Sequence, residues 1–397
     1  RTDAEGNYHI NNAIADVIFS ITAMTQGYND STEFENVIEE DDTLEINFAL
    51  LHPEFIPSTL LMETRLDPGA ERDLSFNIRN TGNGPLSWSV VPRLPGNADA
   101  DPWEFREAYA FGEQLDDSRL YGVVFIDSIF YVSGSNDNNP TIYILDKDGA
   151  LIDTFAQPGD DLRGMKDIAW DGELLWGVVA NTVFGMTLEG EVEASFQAPY
   201  NPSSVITWDS DREILWISGT TSNPVGFDRE GNRIEDMEID RGGLRIYGLA
   251  YFDDDPDDAP LYIFSKERDT NRQTLHKHSF ETGEKTFVAY LEPEEGGTPQ
   301  GAFITNKFDV YSWVFISVAN DASRDRVDIW QIEGRMDWFD LFLITEEGRN
   351  EAENGELQTG ETGEFILHFN ALQLPQVDFA TELHFYHNAD GGHTRID

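Results

Sequence analysis

The chain has 397 residues and a formal net charge of −49, with 75 Asp and Glu against 26 Lys and Arg, and no cysteine. So acidic a surface repels phosphate backbones and anionic bilayers, and the lack of cysteine excludes disulfides, zinc–thiolate sites and thiol nucleophiles. An apolar fraction of 40% supplies packed cores for two to four domains, and no apolar run is long enough to span a membrane. The charge is compatible with Ca²⁺ binding through clustered carboxylates, and with a halophilic setting in which salt screens the self-repulsion.

Short alternating runs, broken by Gly, Asn, Asp and Pro turns, predict an all-β chain. Residues 1–57 open with Asp3-Ala4-Glu5-Gly6-Asn7-Tyr8, followed by strands at 17–23, near Phe34–Ile38 and at Leu44–Leu50, with Gln26-Gly27-Tyr28 between the first two. The T-D-x-x-G-x-Y turn and the later G-Y resemble the carboxypeptidase regulatory-like domain, a small prealbumin-type β-sandwich. Two strands that precede this turn in that family are missing, which implies that the chain begins inside a domain. Residues 58–97 follow, with Leu74–Ile78 and then Asn80-Thr81-Gly82 leading to Leu86-Ser87-Trp88. The N-x-G-x-x-x-L-x-W pattern resembles the front half of ASH/BACON-like immunoglobulin-type domains of bacterial surface proteins. The back half of that pattern lies far downstream, at Gly355–Glu361, Gly363–Asn370 and Ala380–His387, with a last strand expected beyond Asp397. The resemblance therefore implies one sandwich, 58–97 plus 336–397, interrupted by an insertion at 98–335. Insertions of this kind are tolerated at exposed loop tips.

The insertion repeats. Ile168-Ala169-Trp170-Asp171 with Leu174-Leu175-Trp176 recurs 38 residues later as Ile206-Thr207-Trp208-Asp209 with Ile214-Leu215-Trp216. Turns ending at Gly149, Gly190 and Gly231 are 41 residues apart, and those at Gly283 and Gly334 follow at 52 and 51. A period near 40 with four strands per unit is that of a β-propeller blade. Five units fit, at 120–158, 163–199, 203–240, 244–293 and 297–334. The fifth lacks a fourth strand, and Phe105–Gln114 is a spare one that would close the ring.

Candidate sites are fewer. Asp146-Lys147-Asp148-Gly149 has the start of a calcium loop but no bidentate Glu in place, so it reads as a hairpin turn. Asp253, Asp254, Asp255, Asp257 and Asp258 pack five carboxylates into six residues, and Asp137 lies in the oxygen-rich Ser135–Asn139 tip. Both are candidates for Ca²⁺, and both are equally solvated acidic loops. His276 with His278, and His384 with His387 and His393, lack zinc-binding spacing. The recurring aromatics Trp170, Trp176, Trp208, Trp216, Tyr247, Tyr251, Tyr262, Trp313 and Trp330 read as packing between blades, or as sugar-stacking platforms at the channel mouth. No G-x-S-x-G, P-loop or dinucleotide fingerprint is present. A hydrolase carboxylate pair would be hidden among 75 acids.

The expectation is a non-catalytic extracellular or cell-surface protein of a bacterium that binds a protein or glycan ligand through its propeller. The alternatives are a filament or surface-layer subunit assembled by strand exchange through its terminal β-strands, and a polysaccharide-degrading enzyme.

Overall fold

Each of the five repeats folds as a four-stranded antiparallel sheet in a computed structural model that describes residues 2–11, 13–291, 297–320, 325–372 and 374–397. The chain divides into two compact units, Gly96–Arg335, and Arg1–Pro95 with Met336–Asp397.

Blades 1 to 4 run from an inner to an outer strand in chain order. Their inner strands are Leu120–Ile126, Ile168–Trp170, Val205–Asp209 and Ile246–Tyr251, and that of blade 5 is Thr298–Asp309. These five strands contact one another in a closed circuit, first to last. The outer strand of blade 5 is Phe105–Tyr109, paired antiparallel with Val327–Trp330. The protein is therefore a five-bladed β-propeller, closed by a strand that precedes blade 1 in sequence. The spare strand is shorter than 105–114. Its ladder ends at Tyr109, and Phe111–Leu115 turns into a short helix whose Gly112 N–H donates to the Asp325 carbonyl at 2.7 Å.

The hydrophobic pattern explains the ring. Inner and second strands are buried on both faces, so they read as continuous apolar runs such as Leu120–Ile126 and Ile214–Ser218. Outer strands alternate, as in Val192–Gln197. Trp176, Trp216 and Tyr262 are almost wholly buried at equivalent places in the second strands of blades 2 to 4. They belong to three apolar clusters, each spanning adjacent blades.

In the second unit, Gly348–Glu351, Phe339–Thr345, Thr362–Asn370, Glu71–Arg79 and Ile56–Pro57 form one sheet, in that order. Asn354–Leu357, Leu86–Arg93, Glu382–His387 and His393–Ile396 form the other. Strands from before and after the propeller pair along their whole lengths, as Glu71–Arg79 does with Thr362–Asn370. Phe76 stacks on Phe365 at 5.1 Å, and Trp88 and Phe385 meet Phe365 edge-on at 5.1 and 5.7 Å, so an aromatic core joins the sheets. This is a β-sandwich.

Two strand expectations change here. His393–Ile396 supplies an edge strand where sequence reading left the sheet short. It folds back on Glu382–His387 through Gly391 and Gly392, both at positive φ, a conformation that favours glycine. Leu44–Leu50 has no ladder partner among the described residues and is not a strand. The described strands of the N-terminal module are Phe19–Ala23 and Ser31–Asn36, which pair with each other. Ile18, Met24 and Phe34 remain about 70% exposed there.

Candidate functional site

A repeated aspartate organises one end of the propeller. Asp171 closes the hairpin between the inner and second strands of blade 2. Its Oδ1 accepts the Glu173 and Leu174 N–H groups at 2.8 and 2.6 Å, and its Oδ2 accepts Trp176 Nε1–H at 2.8 Å. Arg229 Nε pairs with it at 2.8 Å. Asp209 repeats this in blade 3, with the Arg212 N–H at 3.0 Å, Trp216 Nε1–H at 3.0 Å and the Arg212 guanidinium at 3.1 Å.

Asp255 repeats it in blade 4. It accepts the Asp257 and Ala259 N–H groups at 3.0 Å, the Tyr262 hydroxyl at 2.6 Å and Lys277 Nζ at 3.1 Å. Asp309 in blade 5 accepts the Tyr311 N–H at 2.8 Å and pairs with Arg106 at 2.6 Å. Blade 1 turns instead through Asp127-Ser128, both at positive φ, a two-residue hairpin that needs no side-chain brace.

The acidic loop 253–258 therefore divides. Asp255 is a structural brace. Burial pushes its carboxyl up, but hydrogen bonds from Tyr262, Ala259 and Lys277 hold it below the ordinary range. Asp257 shares Lys277 Nζ at 2.5 Å. Asp253, Asp255 and Asp258 line a depression of about 290 Å³ with Asp211, Arg212, Phe280 and Glu281. Desolvation, together with the neighbouring Asp254, raises the pKa of Asp253. Arg212 already supplies a cation there, lying 3.9 Å over the Phe280 ring. Asp137 sits apart at an exposed, left-handed loop tip. Among the described residues no group of three or more His, Asp or Glu is placed to hold a metal ion.

The histidines also separate. His276 and His278 pack edge-on against Phe287 and Phe280 at 5.6 and 5.2 Å, and burial lowers the pKa of His278 to about 4. In the sandwich unit His384 and His393 share a 3.1 Å hydrogen bond, while His387 stacks on Phe55 at 4.4 Å.

Sequence reading missed the residue at the propeller axis. Asp167 is 1% exposed. It accepts the N–H groups of Ile168, Ile206 and Leu249 at 3.1, 3.3 and 3.5 Å, and that of Ala302. One carboxylate thus ties the inner strands of blades 2, 3, 4 and 5. Blade 1 joins the same layer by close approach. A Cβ on Gly301 would fall 2.4 Å from Asp167 Oδ1 and 2.8 Å from Gly122 Cα, and a Cβ on Gly122 would fall 2.7 Å from the Ile168 nitrogen. Only glycine admits this approach. Burial pushes the Asp167 pKa well up, against the backbone N–H groups that favour the anion. The sequence signal was a break in the repeat. Applying the 38-residue offset puts Val205 where blade 2 has Asp167.

Tyr121, Lys166, Tyr247 and Gln300 directly precede Gly122, Asp167, Gly248 and Gly301, where a Cβ on Gly248 would fall 2.7 Å from the Gln300 carbonyl oxygen, and Arg245 lies two residues before Tyr247. They gather at the end of the channel where the inner strands begin. Lys166 Nζ stands 3.2 Å from the centre of the Tyr121 ring, bridging blades 1 and 2. Arg245 lies 5.9 Å over the Tyr247 ring. Burial, then the charges of Arg163 and Arg119, lower the Lys166 pKa to about 8.

No family model matches this chain, and no curated protein matches it. Among solved structures it is similar to glutaminyl cyclase from Myxococcus xanthus, at 12% identity and a TM-score of 0.41, covering 59% of this chain and 100% of that one. It is also similar to the WD40 domain of Neurospora crassa Pan2, at 7% identity and a TM-score of 0.36, covering 62% and 98%. Kuenenia stuttgartiensis hydrazine synthase is similar at 12% identity and a TM-score of 0.34, covering 51% and 57%.

Proposed function

We propose that this chain is a non-catalytic recognition protein of a bacterial cell surface, and that its propeller binds a protein or glycan ligand at the mouth of the channel. The observation that carries this reading is the sealed floor. Asp167 spends its acceptor capacity on backbone N–H groups, so the axis is braced beneath the residues that begin the inner strands. That mouth offers Tyr247, Lys166, Arg245 and Gln300, with Tyr121 buried beneath Lys166, an aromatic and cationic set in an otherwise strongly acidic chain. Aromatic faces suit sugar rings and peptide side chains, and a preorganised rim keeps the entropic cost of binding low. The acidic depression beside Asp253 and Asp258 is the place proposed for Ca²⁺, because Asp211 and Glu281 line it with them, although they are not gathered into a ligand set.

The test is retention of the full chain on glycan and protein arrays, compared with Tyr247→Ala and Arg245→Ser. Binding that both substitutions weaken by tenfold or more supports the reading. Unchanged binding by both, or release of cleaved product from any arrayed glycan, overturns it.

A second reading, a subunit assembled by strand exchange, is favoured by the apolar side chains left exposed on the N-terminal ribbon, including Ile18, Met24 and Phe34. Concentration-dependent light scattering that Phe34→Glu abolishes would support it, and a concentration-independent monomer would remove it.

A further inference from the structure

We infer that the ammonium of Lys166 is the anchor for a ligand carboxylate at the mouth of the propeller channel. This deepens the recognition reading and rests on it.

The argument begins from scarcity. Only six lysines stand among 75 carboxylates. Lys277 is held by Asp255 and Asp257, Lys266 donates to Thr298, and Lys147 donates to the Phe308 carbonyl. Lys166 differs from all of these. It is half-buried in the layer that begins the inner strands, and among the described residues the charge of Asp161 acts on it but no carboxylate is bonded to it. Its ammonium stands over the face of Tyr121, at 3.2 Å.

Two carboxylates near it in sequence are committed elsewhere. Asp161 is forked onto Arg163 at 2.9 and 3.1 Å, and Asp167 turns its oxygens to the inner strands. A half-buried ammonium with no bonded anion carries a desolvation cost that a ligand oxygen would relieve. The lowered Lys166 pKa is consistent with that cost, burial and the charges of Arg163 and Arg119 outweighing the charge of Asp161.

A single carboxylate fits better than a phosphate. Phosphate recognition favours bidentate arginine clusters, and a polyanion would meet the net charge of −49. A sugar acid combines one carboxylate with a ring face suited to the tyrosines of the rim.

The experiment uses the full chain labelled with ¹³C at lysine Cε, which gives six lysine signals, with Lys166→Met assigning one of them. Sodium glucuronate is the probe, with glucose and NaCl at matched ionic strength as controls. The Lys166 signal should titrate near pH 8 in the unliganded chain. Glucuronate should move that midpoint up by about one pH unit, as expected of an opposite charge within a few ångströms. Glucose and NaCl should not move it.

The inference is overturned if glucuronate leaves the midpoint in place, or moves all six signals together as a bulk ionic effect does. If it fails while array binding still depends on Tyr247, the recognition reading stands and the carboxylate anchor alone is wrong. If Tyr247→Ala and Arg245→Ser also leave array binding unchanged, both are wrong. A melting curve of Lys166→Met matching that of the parent chain secures the assignment against misfolding.

Discussion

Replacing Asp167 with alanine should loosen the whole propeller. The substitution leaves the N–H groups of Ile168, Ile206, Leu249 and Ala302 buried without an acceptor. Each such group costs about 1–3 kcal/mol, and the 3.3 and 3.5 Å contacts belong at the low end. Removing a carboxyl whose burial already disfavours its charge offsets part of this, so the net loss should be about 3–5 kcal/mol. For a unit of this size that lowers the melting temperature by about 10 °C.

The pH dependence has a definite sign. Burial holds the folded pKa of Asp167 well above the ordinary aspartate value, so the native state keeps this proton after the unfolded chain has released it. Its stabilisation is complete below the unfolded pKa and is lost as pH rises through the folded one. Asp167→Asn cannot titrate, so the stability gap between the parent chain and this variant should shrink as pH rises. Calorimetry and urea melts over a pH series measure both effects. An alanine variant within about 0.5 kcal/mol of the parent, or a gap that widens with pH, would refute the axial brace.

Asp209→Ala should cost about 2–4 kcal/mol, because Trp216 Nε1–H and the Arg212 N–H lose their acceptor in the interior, and urea melts read this directly. Phe365→Ala removes the ring on which Phe76, Trp88 and Phe385 converge, and should cost the sandwich about 3–5 kcal/mol while leaving the propeller transition in calorimetry unmoved. NaCl should raise the melting temperature by screening the net charge of −49, and a flat response would separate that charge from stability. CaCl₂ at constant ionic strength should raise it further if the depression holds the ion, and Asp253→Asn with Asp258→Asn should abolish that increment alone.

What could be read from sequence followed from periodicity. Blades repeat because each must bury the same two faces, so Trp176 and Trp216 recur with Asp171 and Asp209. The strand Phe105–Tyr109 was legible as the one piece missing from a closed count. Asp255 was harder to read. Its loop resembles a metal site in composition, and only the register against Asp171 and Asp209 shows that it braces Tyr262 as they brace tryptophans. Lys166 and Asp167 were invisible to pattern analysis because each acts alone, at an axis where five strands meet and no repeat is possible. Their partners are backbone N–H groups and a ring from other blades, and one sequence carries no record of those distances.

Phe105–Tyr109 has a consequence for how the chain is made. That strand leaves the ribosome before any blade exists, and its partner Val327–Trp330 follows more than two hundred residues later. Blades 1 to 4 pair only neighbouring strands and can form as they emerge, whereas the ring must wait for its last blade. Once it shuts, the backbones of Trp103 and Glu104 are bonded to Gln331, at 2.6 and 2.9 Å. A connection that is very long as contour then behaves, for the strands on either side of it, as a tether of a few residues. The entropy of loop closure depends on the separation of the ends rather than on the chain stored between them, so the sandwich sheets can assemble late at little entropic cost.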